Sequence, residues 1–483
     1  MTDQSTKRTF LFLLSDAPGF CEFFPMVGAE LQRQGHDVIY ASDSNHVTFL
    51  ARHFHPTLQI AELGDFATQR SETAFVINRG GLADWERVIH FFKPDAKAKA
   101  AFKFNMLYAS AFPARLHEKY AFDVVVSESP AGVYTAAFFD FCKQNGIAWV
   151  GFEASRISGY WEFPESDIAF EADESELMAL VWDYVDRTSG SKISAPSYMN
   201  AKSLVSLTNV SLAARLLSRK KLEEYKLVLR STRAGNRTFF GNLPTEKYLE
   251  NFRRLLLRKA RMMMAKAFRA EPAALPEQSG KTIFYPLQFH PEASTSMAAA
   301  QFLDEYDLLF FLATQMDGDA TLFVKDHPSM AGLRSAAQAR AFAALPNVAF
   351  VEPSVKSVEL IDRCDLTLAL TSTAALEALM RGKPVVVLGD VFFNSHRNCR
   401  FARSKSEALE MIAEYFNGAW AAELEGIDDY NAAFLKSHLR GALRFELGFY
   451  DSDEFREKAP VLAQELARAR YQELARARYD VHG

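Results

Sequence analysis

Three polar clusters stand where this chain could do chemistry. Lys325-Asp326-His327-Pro328 follows the apolar run Leu322–Val324, and Thr371-Ser372-Thr373 follows Leu366–Leu370. The first offers an ammonium and an imidazole, held at a set angle by the proline. The second offers hydroxyls and the free N–H groups of a helix start, which suit an anionic phosphate. Glu377 lies just over a turn beyond Thr373, where a carboxylate can accept from two ribose hydroxyls. His327 can donate to phosphate or protonate a leaving group. Each motif also has an ordinary explanation: a turn histidine, an N-cap, a solvated glutamate. Their pairing in one segment favours a site.

The third cluster is Phe284–Ser296 (FYPLQFHPEASTS), with Gln288, His290, Glu292 and Ser294 after an apolar run. Glu292 can act as base or nucleophile, orient a sugar hydroxyl, or simply answer the dipole of the helix it opens. The N-terminal half adds Ser15-Asp16, Ser127-Glu128-Ser129-Pro130 and Glu153-Ala154-Ser155-Arg156. Glu128 and Glu153 are candidates to bind or activate an acceptor hydroxyl, with Asp16 beside them, and Arg156 to meet an anionic acceptor. For any single one of these residues a solvated loop is the favoured reading, while at least one of them is expected to take part.

These clusters need elements to hold them. Strands are expected at Thr9–Leu14, Asp37–Ala41, Asp123–Ser127 and Ile147–Phe152, with helices through Phe24–Leu31 and Ala136–Gln144. Gly35 sits at the left-handed cap of the first helix. A second set of strands is expected at Thr282–Tyr285, Leu308–Leu312, Leu322–Lys325, Val348–Val351, Leu366–Leu370 and Val385–Leu388. Gly382 ends the helix after Thr373, and Pro384 prevents its continuation. Strand–turn–helix units of this kind build parallel sheets, which bind ligands at the carboxyl ends of their strands. No GxGxxG follows the first strand, which argues against a dinucleotide cofactor.

Four segments result: an α/β domain over 1–185, a helical basic middle and linker over 186–280, a second α/β domain over 281–425, and a helical tail over 426–483. Within the middle, Arg253-Arg254, Arg258-Lys259, Arg261, Lys266 and Arg269 surround Leu255–Leu257 and Met262–Met264. A solvated helix packed by its apolar face is the favoured reading. A face turned to anionic lipid is the minority one. The tail repeats QELARARY as Gln464–Tyr471 and Gln472–Tyr479, and is read as a docking or surface helix.

The 483 residues exceed one ordinary domain. A net charge of -5 gives no reason to expect nucleic acid. Cys21, Cys142, Cys364 and Cys399 show no CxxC pair and no zinc spacing, and read as reduced thiols of a cytosolic protein. No run approaches the roughly 20 apolar residues of a membrane span, so any membrane contact is peripheral, on the inner face of the cytoplasmic membrane.

The ordered set PLQFHPEAS, VKDHP and TSTAALEALMRGKPVVVLG resembles the bacterial capsule polysaccharide biosynthesis family, which includes Kdo transferases. The resemblance covers mainly Lys281–Gly389, with weaker likeness in FLFLLSDAPGFCEFFPMVGAELQRQGHDV and GFEASRISGYW. It implies a glycosyltransferase of GT-B type: two Rossmann-like domains with parallel sheets facing across a cleft, donor nucleotide in the C-terminal one, glycan or glycolipid acceptor against the N-terminal one. It also implies a CMP-linked sugar acid such as CMP-Kdo as donor substrate, with no cofactor and no metal. On that pattern His327, Ser372 and Thr373 contact phosphate and Glu377 contacts ribose. Lys325, Pro328 and Thr371 complete the nucleotide site; Gln288, His290, Ser294, Asp16, Glu128 and Arg156 meet the donor sugar or acceptor; Glu292, His327 and Glu153 are the catalytic candidates. Some Kdo transferases carry Gln-x-Asp-x-Ser at the reacting carbon. Here Gln288 to Ser294 contains Glu292 and no aspartate. Two other functions fit the same architecture: a UDP-sugar 2-epimerase, and a non-catalytic scaffold of a glycan-assembly complex.

Overall fold

The computed structural model describes residues 7–16, 18–63, 111–128, 133–154, 160–162, 219–238, 242–246, 280–289, 298–327, 347–351, 355–439, 442–444 and 452–468, with positions 130, 249, 253, 295, 330, 337, 340, 341, 344 and 345. These residues gather into two compact units.

The first unit is built on seven strands: β1 (Thr9–Leu14), β2 (Asp37–Ser42), β3 (Ile60–Glu62), β4 (Val124–Glu128), β5 (Ala148–Ala154), β6 (Tyr160–Glu162) and β13 (Ala442–Arg444). Their order is β13-β6-β5-β4-β1-β2-β3. The five from β5 to β3 are parallel, and β6 and β13 extend the sheet antiparallel. Alternate residues of a strand face opposite sides of its sheet. Phe10, Phe12, Leu14, Val124 and Val126 therefore meet α1 (Pro18–Arg33), which inserts Phe20, Phe23, Phe24, Val27 and Leu31. Leu11, Leu13 and Val125 face the other way, against Tyr134 and Phe138 of α3 (Val133–Asn145) and against Phe112 and Phe122. Burial on both faces explains why these strands read as unbroken apolar runs.

Three more helices among the described residues pack into this unit. α2 (Asn45–Phe54) is capped by Ser44, whose side chain accepts from the Val47 N–H. α4 (Arg219–Arg233) is tied to it by a 2.8 Å bond between His46 Nδ1 and Ser231 Oγ. From the far end of the chain, α10 (Ser452–Arg468) returns to cover α1, with the Phe23 and Phe455 rings 5.3 Å apart. The first half of the octapeptide repeat ends this helix at Arg468. The second half, the basic segment 254–269 and the loop 186–202 lie outside the described residues.

The second unit carries six strands: β7 (Lys281–Pro286), β8 (Ala320–Lys325), β9 (Val348–Val351), β10 (Leu366–Ala369), β11 (Val385–Val387) and β12 (Cys399–Phe401). Their order is β12-β11-β10-β7-β8-β9, and each neighbouring pair is parallel. Both sheets wind outward in two directions from their first strand, the arrangement of a Rossmann-like fold. The reversal falls between β1 and β4 in the first unit and between β7 and β10 in the second. A doubly wound sheet opens its ligand crevice at that reversal, beyond the strand carboxyl ends. The expectation of two Rossmann-like α/β domains is borne out in this topology.

One element differs in kind. Leu308–Leu312, expected as a strand, lies inside the helix α5 (Glu305–Gln315). A short apolar run does not distinguish a buried strand from a buried helix. The deciding signal is Asp304, whose carboxylate caps the helix by accepting from Tyr306 N and Asp307 N. The second unit also carries the helices α6 (Ser357–Arg363), α7 (Thr373–Met380), α8 (Lys405–Phe416) and α9 (Ile427–Leu439). Gly35 and Gly382 take the left-handed φ of +93° and +69° expected of helix-ending glycines. The four cysteines are free and buried. No helix among the described residues is long and apolar enough to cross a membrane.

Candidate functional site

The second unit brings its expected residues to one edge. Lys325 ends β8, Asp326 and His327 follow it, Thr371 and Ser372 follow β10, and Gln288 follows β7. The turn after β7 is pinned to β8, because Leu287 N donates to Lys325 O at 2.9 Å. At the reversal, Thr371 Oγ1 donates to Gln288 Oε1 at 3.4 Å and lies 3.1 Å from Thr295 Oγ1. All three side chains are buried. Thr371 thus joins the turns after β7 and β10, and its hydroxyl faces protein partners. Gln288 is held in turn by its Nε2, which donates to Pro286 O at 3.2 Å. Its backbone N–H donates to Glu305 Oε1 at 2.9 Å, an atom that also accepts from Tyr285 OH.

Ser372 is the N-cap of α7, accepting from Ala374 N at 3.2 Å. A hydroxyl that accepts this way keeps its own proton to donate. Ser372 and Thr373 are half-buried at the helix start. His327 is half-buried too, its ring 5.8 Å from that of Phe289. These groups can present donors to an anion.

Lys325 and Glu377 are buried behind them. Lys325 is 6 % exposed, and its Nζ donates to Ser357 Oγ at 3.3 Å. Burial pushes its ammonium below the ordinary lysine value, opposed by Glu377 and Asp326. Glu377 is 4 % exposed and its Oε1 has no hydrogen-bond partner. Burial pushes its carboxyl up to about 7, opposed by Lys325 and Arg381. A buried carboxylate oxygen without a partner is costly.

Gly389 closes the edge after β11, its N–H donating to Leu370 O at 3.0 Å. A Cβ there would overlap Thr371 Cγ2 and come within 2.8 Å of Leu370 O. The close approach requires glycine.

In the first unit, Ser15 and Glu128 meet across the β1/β4 reversal, Ser15 Oγ donating to Glu128 Oε2 at 2.8 Å. Asp16 is exposed beside them. Glu153 pairs in register with Glu162 on β6; its backbone alone is described. His290, Glu292, Ser294, Pro328 and Arg156 lie outside the described residues. Sequence reasoning passed over Glu305, because a carboxylate in a helix's first turn reads as a dipole partner.

The capsule polysaccharide biosynthesis protein family matches residues 241–396. A comparison with curated protein sequences finds no match. Among solved structures, the beta Kdo 2,7 transferase of Thermosulfurimonas dismutans KpsC aligns over 94% of this chain and 99% of its own, at 12% identity and a TM-score of 0.35. A glycosyltransferase from Rickettsia africae aligns over 96% and 99%, at 11% identity and a TM-score of 0.27. The UDP-GlcNAc 2-epimerase of Neisseria meningitidis aligns over 95% and 99%, at 12% identity and a TM-score of 0.23. The segment that supplies Lys325, His327, Ser372, Thr373 and Glu377 carries the signature of the capsule polysaccharide biosynthesis family.

Proposed function

We propose that this chain is a glycosyltransferase that moves a sugar from a nucleotide donor to a surface-glycan acceptor, with a CMP-linked sugar acid such as CMP-Kdo as donor. One observation carries the reading. At the reversal of the second sheet, phosphate-suited donors (His327, the start of α7) stand with a buried, unpartnered carboxylate oxygen on Glu377. A nucleotide supplies both complements, an anionic phosphate and a pair of ribose hydroxyls. The family match over this segment supports the same reading.

In the reaction, the bond between the anomeric carbon and the phosphate oxygen breaks, and the electron pair leaves on the nucleotide. His327, the Ser372 hydroxyl and the N–H groups of α7 would stabilise that charge as it develops. Lys325 adds a positive charge in a low-dielectric setting, where it acts more strongly than in water. The acceptor hydroxyl forms the new bond, and its proton passes to a carboxylate; Glu128, Glu153 and Glu292 are the candidates.

The test is turnover of CMP-Kdo with and without added glycan acceptor, reading free CMP. Acceptor-dependent release of CMP supports the reading. Turnover of UDP-sugars alone removes the CMP assignment and keeps glycosyl transfer. Conversion of a UDP-sugar to its epimer without acceptor contradicts glycosyl transfer. Any membrane contact is a further proposal: flotation of the protein with anionic vesicles would support it, and its absence would remove it.

A further inference from the structure

Glu305 stands in the first turn of α5, and it is only 3 % exposed. A buried carboxylate is costly unless hydrogen bonds hold it. Here one oxygen, Oε1, takes two donors: Tyr285 OH at 3.0 Å and the Gln288 backbone N–H at 2.9 Å. Neither bond serves the helix. Its start is already capped by Asp304, which accepts from Tyr306 N and Asp307 N. Asp307 also stands in the first turn, so the helix dipole is answered without a buried acid. Glu305 instead reaches back 17 residues along the chain and fixes the turn that follows β7.

Two lines of contact leave that turn, one towards each half of the anion site. The first runs through the Gln288 side chain, whose Oε1 accepts from Thr371 Oγ1 at 3.4 Å. Thr371 directly precedes Ser372, the N-cap of α7. The second runs through the next residue, Phe289, whose ring lies 5.8 Å from that of His327. The Gln288 backbone is therefore the point at which His327 and the start of α7 are set relative to each other. Glu305 holds that point, and a bond to an ionised acceptor is stronger than one between neutral groups.

We propose that Glu305 is a positioning residue of the nucleotide site: by holding the turn after β7, it keeps His327 and the start of α7 in one fixed arrangement for a phosphate. The inference rests on the nucleotide reading for its ligand. The coupling of Glu305 to His327 rests on the contacts alone.

The experiment uses the full chain, with CMP as the probe, and compares the wild type with Glu305→Asp, Glu305→Ala and Ser404→Ala. Glu305→Asp keeps the charge at the helix start and draws it back by one methylene, away from the turn. Ser404→Ala is the control for lost stability: it removes the N-cap of α8, where Ser404 Oγ accepts from Glu407 N, and leaves the turn after β7 untouched. Affinity is read by calorimetry at a temperature where each variant is folded. Both Glu305 variants should bind CMP about tenfold more weakly, the worth of one hydrogen bond to a displaced phosphate. Ser404→Ala should bind as the wild type does, although it melts lower. Two resonances separate positioning from stability. The phosphorus-31 signal of bound CMP at saturation should move in Glu305→Asp and stay in Ser404→Ala. The His327 Cε1–H signal, identified by its loss in His327→Ala, should move in Glu305→Asp with no ligand present. Should Glu305→Ala fail to fold, Glu305→Asp decides alone. Three results would each overturn the proposal: Glu305→Asp binds CMP as tightly as the wild type; Ser404→Ala loses as much affinity as Glu305→Asp; or both resonances stay in place in Glu305→Asp. A wild type that binds no nucleotide sinks the nucleotide reading. With a moved His327 signal that outcome leaves Glu305 as the residue that sets His327, and with an unmoved one it sinks both claims.

Discussion

Replacing Glu377 by Gln should make the free protein more stable at alkaline pH while weakening nucleotide binding. The carboxyl is pushed from its ordinary 4.5 up to about 7 by burial. That difference corresponds to about 3 kcal/mol between the two protonation states. The folded value is raised above the unfolded one, so the folded state holds its proton more tightly. This group's contribution is therefore complete below pH 4.5 and is lost as pH rises through 7. Gln is neutral throughout and removes the loss. Its attraction to Lys325 also disappears, but that attraction is already contained in the net shift. Urea denaturation of the second unit's transition at pH 5 and pH 8.5 is the assay. The variant should exceed the wild type by only about 1 kcal/mol at pH 5 and by about 3 kcal/mol at pH 8.5. Nucleotide affinity should fall about 10- to 150-fold, the worth of a hydrogen bond to a charged group. A variant equal to or weaker than the wild type at pH 8.5 would refute the reasoning.

His396 should act in the opposite sense. Its Nε2 lies 2.9 Å from Asn431 Oδ1, its Nδ1 accepts from Asn398 N at 3.1 Å, and burial lowers its pKa to about 4. Stability from this neutral imidazole is present above 6.5 and lost as pH falls towards 4, by about 3 kcal/mol. The Glu377 and His396 effects nearly cancel in the wild type between pH 4.5 and 6.5, so Glu377→Gln should expose the histidine's acid sensitivity in a pH series of melts. Thr371→Val should cost about 1–3 kcal/mol, since it strands the buried Gln288 and Thr295 groups; denaturation at pH 7 reads it. Gly389→Ala should cost about 1–3 kcal/mol by overpacking against Leu370 and Thr371. An unchanged melting temperature would show that the β11 edge gives way.

Much of the fold was legible because buried parallel strands are long apolar runs ended by polar turns. Thr9–Leu14 and Val348–Val351 match the expected bounds. The three-residue strands Ile60–Glu62, Tyr160–Glu162, Cys399–Phe401 and Ala442–Arg444, at or next to the sheet edges, were not legible, being too short to carry a period. Leu308–Leu312 was misread because its helix signal lies outside it, in Asp304. In the site, the strand-end position of Lys325, His327 and Ser372 followed from local pattern. The commitment of Thr371 did not, because its partner Gln288 lies 83 residues away. Nor did the burial of Glu377 or of Glu305, both set by packing between distant segments.

The central claim is that the reversal of the second sheet holds a nucleotide. A thermal-shift titration with CMP, CDP, UDP and GDP, with and without EDTA, on the wild type and His327→Ala, tests it most directly. At about 100 times the dissociation constant a ligand stabilises by roughly 2.7 kcal/mol. The account predicts a shift with CMP that EDTA does not change and that His327→Ala loses. The absence of a shift with any of the four nucleotides would contradict it.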